Sequence, residues 1–372
     1  MSEQITTLPD YPSLDTTEFS ELLQKLTADP AVAGQASEDL CQLDPRDGTM
    51  IIYAEHRARR PNEHEQKPAS TSGVKPCPIC TEDLTAIVDY APLSEGFTFI
   101  SQNMYPVLYP TVHTEDLHLK APLYDDPDHL GRAAFGLHLL QWTSSVHSND
   151  WHNMPTEDLF ITLSRLAALE NKLLFTCEDY MPISCETDGA RGYLSIIKNY
   201  GPDAGASLSH GHQQIAYSNI MPQRTFNNAR FFDRHNRTFC SYMHEHNPEN
   251  LTVAEEGSAK VIIPYYMRRP YNLMILLDTQ SNHLSKQTSG QLWDLTRAIQ
   301  KVIKSLHLLL PSMGKSVSFN MAIHTGPRCE LYVEFFPIVQ ALGGYERIGL
   351  WISQLTPRSA ASRFKAMYES LA

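Results

Sequence analysis

The chain has 372 residues and sets 30 Lys and Arg against 42 Asp and Glu, a formal net charge of −12. That acidity excludes coating nucleic acid, which needs a broad basic surface, while leaving room for a local basic pocket. Apolar residues make up 42% of the chain and no apolar run nears the roughly 20 residues that span a bilayer, so the expectation is a globular protein without a membrane partner.

The length exceeds the roughly 250–300 residues at which single cores stop growing, so two domains or a duplicated one are expected. The opening "MSEQITTLPDYPSLDTTEF" lacks the basic start and apolar stretch of a signal peptide, and the default expectation is a cytoplasmic location. Residues 1–45 read as an acidic arm with a helical piece around "TTEFSELLQKL". "GTMIIYAEH" reads as a short strand before the basic turn "RARRP", and 61–76 as a polar loop. "GFTFISQNMYPVLYP" and "GLHLLQWTSSVH" are strand candidates. Residues 155–176 form the clearest helix, with Thr156 as its expected cap, Glu157 and Asp158 in its first turn, and Leu and Ile at helical spacing. "YLSIIKNYG" is a strand leading into a small-residue loop. Residues 223–260 are polar and read as a loop-rich junction. Beyond it, "SAKVIIPYYMRRPYNLMILL" offers two strands, "TSGQLWDLTRAIQKVIKSLHLLL" a long amphipathic helix, and "SVSFNMAIHTGPRCELYVEFFPIV" two more strands. This alternation predicts an α+β fold of two repeats.

Three stretches carry chemistry. In "KPCPICTED", Cys77 and Cys80 have the gap that lets one turn offer two thiolates to a tetrahedral ion. Alone the pair is half a zinc site, or else two reduced thiols or a redox pair. Any further ligands must be histidine or carboxylate, and spacing does not select among 16 histidines. The seven cysteines (Cys41, Cys77, Cys80, Cys177, Cys185, Cys240 and Cys329) are scattered, which suits thiols and ligands better than a disulfide framework. In "KNYGPDAGASLSHGHQQIAYS", Gly201, Ala204, Gly205, Ala206 and Ser207 leave backbone N–H groups open to phosphate oxygens. If the following residues form a strand, His210, His212 and Gln214 share one face. A neutral imidazole nitrogen is a good nucleophile toward phosphorus near pH 7, and Gln214 adds a donor without charge. In "AEHRARRPNEH", Arg57, Arg59 and Arg60 offer guanidinium forks that match phosphate geometry. The stretch holding His235, Cys240, His244 and His246 reads as a solvated loop.

Together these stretches resemble the galactose-1-phosphate uridylyltransferase family, a duplicated branch of the histidine-triad superfamily, from about residue 45 to 365. "DGTMIIYAEHRARRP" is similar to its arginine segment, "CPIC" to its zinc pair, "FISQNMYPVL" to its Asn-containing strand exit, and "WTSSVHSND" to the segment supplying a third zinc ligand. "NYGPDAGASLSHGHQQ" matches its N-x-G…G-x-S-x-x-H-x-H-x-Q signature, and "FNMAIHTGP…LYVEFFP…GGYE" its C-terminal half.

The resemblance implies two fused histidine-triad-like repeats of mostly antiparallel sheet with packed helices: an arm over 1–45, a first repeat over 46–222 and a degenerate second over 223–372. It implies one structural Zn2+ on Cys77, Cys80, His147 and His210, with His212 as nucleophile. Gln214, Ser207, Arg57 and Arg60 would stabilise phosphoryl oxygens, and Asn103 and Asn199 would contact the nucleotide beside the Gly205–Ala206 backbone. Tyr345, Glu346 and Gln340 stand where the family binds the hexose. The implied reaction moves a nucleoside monophosphate from a nucleotide sugar to a sugar 1-phosphate through a nucleotidyl-histidine, in a homodimer. The chain departs from the family at Gly211, where proline is usual, at Tyr332-Val333-Glu334, where the second half lacks His-x-His, and at Gln340, where lysine is common. "GGYERIGLW" is more similar to relatives that act as nucleotide-sugar phosphorylases, in which inorganic phosphate takes the nucleotide from histidine; the alternative function is a phosphorylase or hydrolase using the same intermediate. A third reading is a zinc-stabilised binding protein without turnover.

Overall fold

The computed structural model describes residues 4–33, 40–44, 46–54, 57, 77–81, 84–110, 120–122, 130–184 and 188–371. Arg59, Arg60, Cys185 and the expected loop at 61–76 lie outside these residues.

In chain order the strands are β1 (Leu40–Leu43), β2 (Met50–Ile52), β3 (Ile87–Pro92), β4 (Phe97–Gln102), β5 (Lys120–Pro122), β6 (Leu130–Ala133), β7 (Gly136–Trp142), β8 (Tyr193–Tyr200), β9 (His212–Ser218), β10 (Thr252–Glu256), β11 (Ala259–Ile262), β12 (Leu273–Leu277), β13 (Phe319–His324) and β14 (Tyr332–Pro337). The helices are α1 (Phe19–Ala28), α2 (Pro30–Ala33), α3 (Thr156–Phe175), α4 (Gln223–His235), α5 (Phe239–His246), α6 (Ser289–Ser312), α7 (Gly344–Arg347) and α8 (Pro357–Glu369). A small sheet has the order β2-β1-β6-β5. The main sheet has ten strands in the order β10-β11-β12-β14-β13-β8-β9-β7-β4-β3, and all nine pairings between neighbours in it are antiparallel.

Read outward from its centre, this order is the same on both sides. β8, β9, β7, β4 and β3 run one way, and β13, β14, β12, β11 and β10 run the other. The seam is the β8/β13 pair, with Lys198 opposite Met321 at its middle. The fold is α+β, as the alternation of elements predicts.

Side-chain alternation sends Ile215 and Tyr217 of β9, and Val333 and Phe335 of β14, into one large core with α3, α6 and α8. α6 begins at a capping box built by Thr288 and Gln291, and its apolar residues recur at helical spacing into that core. The opposite sheet face carries His212 and Gln214 in the first half, and Tyr332 and Glu334 in the second.

Two local expectations change. Residue 156 does not cap α3: Pro155 occupies the cap position, and Thr156 starts the helix with its hydroxyl donating to Gln300 Oε1 of α6 at 2.7 Å. The polar stretch after 222 is not mainly loop. It forms α4 and α5, which cover the second half of the sheet, Cys240 and Met243 packing on Ile262, Met274 and Leu276. α5 is capped by Thr238, whose hydroxyl accepts from the Ser241 N–H at 3.1 Å.

Candidate active site

Cys77 and Cys80 sit on a tight turn, and two segments bring imidazoles to it. Sγ of Cys80 lies 3.4 Å from Nδ1 of His147 and 3.5 Å from Nδ1 of His210, and Sγ of Cys77 lies 3.8 Å from Nδ1 of His210. The four donor atoms all fall within 4.8 Å of one another. Sulfur and nitrogen ligands on one tetrahedral zinc stand about 3.3–3.8 Å apart, so the donor set fits such an ion. Both imidazoles are aimed by their far nitrogens: His210 Nε2–H donates to the Ser144 carbonyl at 2.8 Å, and His147 Nε2 lies 3.2 Å from Ser209 Oγ. Burial pushes the His210 imidazole down to about 4, which keeps it neutral, as a ligand must be.

His210 lies just outside the strand. β9 begins at His212 because its neighbour β7 ends at the facing residue, Trp142. His210 is thereby free of the ladder and turns to the thiols, while His212 and Gln214 face a cavity of about 110 Å³. Ser207 and Asn103 line the same cavity, with Ile79, Leu84, Ser101, Tyr105, Leu140 and Trp142. The Trp142 ring packs on both histidines, its centroid 5.4 Å from that of His210 and 5.1 Å from that of His212. His212 is 5% exposed, and its Nδ1–H donates to the His210 carbonyl at 2.8 Å. That bond fixes the tautomer, leaving the lone pair on Nε2.

Beneath this loop lies a polar layer that sequence reasoning missed. Lys198 and Asp150 are both buried, and Nζ is 2.7 Å from Oδ2. Burial disfavours either charge, yet the Lys198 ammonium holds the Asp150 carboxyl below its ordinary value. Nζ also donates to the His212 carbonyl and to Gln213 Oε1, each at 3.3 Å. Asp150 packs so tightly on Gly211 that a Cβ there would stand 2.5 Å from its carboxyl carbon. Gly211 is thus required by its neighbour. The available signals were a lysine inside the apolar strand "YLSIIKNYG" and the aspartate ending "WTSSVHSND".

No family model matches the chain. It is 21% identical to the ADP-glucose phosphorylase of Arabidopsis thaliana, over 86% of this chain and 90% of that one. It is 23% identical to the galactose-1-phosphate uridylyltransferase of Rattus norvegicus, over 88% and 87% of the two chains. A solved uridylyltransferase structure superposes with a TM-score of 0.67 at 20% identity, covering 90% of this chain and 99% of the other. The chain is similar over most of its length to galactose-1-phosphate uridylyltransferases and to an ADP-glucose phosphorylase.

The residues that the uridylyltransferase resemblance singled out fall into five groups. His212, Gln214, Ser207 and Asn103 line one cavity, and Cys77, Cys80, His147 and His210 converge beside it. Arg57 reaches the rim, where its guanidinium donates to the carbonyl of the lining residue Tyr105. Asn199, Gly205 and Ala206 are not among the lining residues of that cavity, although the register of β8 on β9 puts Asn199 on the same sheet face as Gln214: Asn320 Nδ2 donates to Asn199 Oδ1 at 2.7 Å and to the Ala204 carbonyl at 2.9 Å, tying the small-residue loop to the seam. Gly201 at φ 82° and Gly205 at φ 79° supply the left-handed backbone that this loop needs. Gln340, Tyr345 and Glu346 are not among the cavity residues of the single chain. Gln340 Nε2 donates to the Ile352 carbonyl at 2.8 Å, Glu346 accepts from the Gly343 N–H at 2.8 Å, and Tyr345 is 61% exposed. In the second half, His324 Nε2 lies 2.8 Å from Glu334 Oε2.

Proposed function

We propose that the chain is a nucleotidyltransferase in which His212 carries the nucleotide. The supporting observation is one imidazole at a cavity wall, its Nδ1–H held by the His210 carbonyl and its Nε2 left as the nucleophilic nitrogen. The Nε2 lone pair attacks the α-phosphorus of a nucleotide sugar. The bond from that phosphorus to the bridging oxygen breaks, and the sugar phosphate leaves with its electrons. An oxygen of a sugar 1-phosphate then attacks the same phosphorus, and the P–N bond returns its pair to His212.

The His210 carbonyl stabilises the cationic imidazole of the intermediate, and Lys198 fixes the backbone that carries it. Gln214 and Ser207 donate to phosphoryl oxygens, as does Arg57 at the rim, with the same role assigned to Arg60 from the resemblance alone. Asn103, Asn199 and the Gly205–Ala206 backbone orient the nucleotide. Cys77, Cys80, His147 and His210 would hold one Zn2+. Four protein ligands close its coordination, so the ion supplies rigidity beside His212 and takes no part in the chemistry. A cytoplasmic setting, where thiols stay reduced, suits Cys77 and Cys80 in that role. Residues 46–222 and 223–372 are read as the duplicated units, with the nucleophile in the first.

Gln340, Tyr345 and Glu346 belong to a segment whose apolar side chains face solvent, including Leu342, Ile348 at 79% exposure, Leu350 and Ile352. A homodimer covering that segment accounts for its composition. The acceptor distinguishes the transferase from a phosphorylase or hydrolase reading, since all share the first half-reaction. Among described residues no helix is long and apolar enough to cross a membrane.

The test is intact-mass analysis after mixing with a panel of nucleotide sugars. The expected result is a nucleoside monophosphate adduct, acid-labile and absent from His212→Asn. Release of the adduct by a hexose 1-phosphate, by inorganic phosphate or by water alone then names the acceptor. A chain that turns over substrate with residue 212 replaced by Asn would sink the proposal.

A further inference from the structure

On the same sheet face as His212, but in the second half, α4 stands over β14 and leaves a cleft of about 330 Å³. Its lining includes Arg224, Arg230, Arg234 and Arg268, with Glu334 as its one carboxylate. Glu334 is already spent, 3.2 Å from Arg224 Nε and 2.8 Å from His324 Nε2. Among the described residues no carboxylate lies within ion-pair distance of Arg230, Arg234 or Arg268. Arg230 rests over the Phe226 ring and Arg268 over the Trp351 ring.

This is an unusual concentration of cations for a chain of net charge −12. Arg230 and Arg234 are four residues apart on one helix and share a face, where like charges repel and lower helix stability. Such a pair without a facing acid leaves a local positive potential that attracts anions from outside. The guanidinium groups come from two elements, α4 and the segment between β11 and β12, and Arg230, Arg234 and Arg268 are all solvent-exposed around the cleft they line. Phe231, Phe239 and Tyr266 add apolar and aromatic surface, and Asn227 and Asn228 add neutral hydrogen-bonding groups. The volume is within the range that holds a small molecule.

We propose that this cleft is a second ligand site, for a small phosphorylated metabolite. Its phosphate sits among Arg230, Arg234 and Arg268, and its organic part lies on Phe231 and Tyr266. Guanidinium forks suit phosphate oxygens bidentately. The second half has no His-x-His in β14, so this site binds without transferring. It is independent of the chemistry assigned to His212 and stands or falls separately.

The test is titration calorimetry with three probes: inorganic phosphate, glucose 1-phosphate and ADP. The wild-type chain is compared with Arg230→Ala/Arg234→Ala and, on a separate element, Arg268→Ala. For at least one probe the wild type binds one more molecule per chain than the double variant, and Arg268→Ala weakens that extra site by about tenfold or more. Tighter binding of ADP or glucose 1-phosphate than of inorganic phosphate supports recognition of the organic part. Equal binding of the three assigns the site to phosphate alone. Melting temperatures without probe establish that each variant is folded, and Arg268→Ala remains an independent reading if the α4 variant is not. Isotherms that are the same for wild type and the folded variants with all three probes, up to millimolar concentration, overturn the proposal.

Discussion

The Lys198 ammonium lies 2.7 Å from the Asp150 carboxylate, both buried, directly under the residues that present His212. Lys198→Met leaves the carboxylate without its counter-charge. Breaking a buried pair from one side costs about 3–5 kcal/mol, so denaturant unfolding should show a midpoint lowered accordingly. Because Nζ also holds the His212 carbonyl, nucleotidyl-adduct formation should slow even at temperatures where the variant is folded. Adduct formation at the wild-type rate would separate the pair from the nucleophile.

Gly211→Ala tests the same contact from above. The added methyl would fall 2.5 Å from the Asp150 carboxyl carbon, and overpacking of this kind costs about 1–3 kcal/mol. Crystallography of the variant should show Asp150 displaced from Lys198. An unmoved carboxylate with unchanged stability would contradict the tight packing.

Metal content separates the two histidines. Cys77→Ser and His210→Ala should lose one bound zinc per chain by elemental analysis and melt at lower temperature, because binding energy at such a site is folding energy. His212→Asn should retain the metal and the melting temperature while losing the adduct. Loss of metal in His212→Asn would place the nucleophile among the ligands and end the division of labour.

His283 makes stability depend on pH. Burial works against its imidazolium, but Asp188 at 3.2 Å and Glu170 at 3.7 Å outweigh it and lift the group to about 9. A pKa raised on folding stabilises fully below the unfolded value of about 6.5 and is lost as pH rises through about 9. The loss amounts to roughly 3.5 kcal/mol at most, taking about 1.4 kcal/mol per unit. Unfolding free energies measured from pH 6 to 10 should fall across that window, and His283→Gln should flatten the curve. A wild-type curve that is flat there would mean the imidazole is neutral.

If the apolar segment near the C-terminal end of the chain covers a second copy, Ile348→Glu with Leu350→Glu should shift light-scattering mass from dimer to monomer with the secondary structure unchanged. Monomeric wild type would remove the homodimer.

Much of the architecture was legible in the sequence because it rests on local periodicity: α3 and α6 announce themselves through Leu and Ile spacing. α4 and α5 did not, because α4 buries Thr225 and Asn228 rather than aliphatic side chains, which leaves no apolar stripe to read. At Thr156, the preceding proline, fixed at φ −57°, already takes the cap position. The His-x-His pair was visible, but an alternating strand was the wrong frame for His210, whose direction is set by thiols over a hundred residues earlier. Its partners in the metal group came from family resemblance, since spacing cannot choose among 16 histidines. The Lys198–Asp150 pair spans 48 residues and has no local signature at all.

The five residue pairs that join β8 to β13 have a practical corollary. Cutting the chain after residue 222 would bare a full row of amides and carbonyls on the innermost strand of each fragment, at what had been the middle of a sheet. Such edges recruit other chains. Neither fragment, expressed by itself, should stay monodisperse, whereas co-expression should let the two edges find each other and recover a single particle.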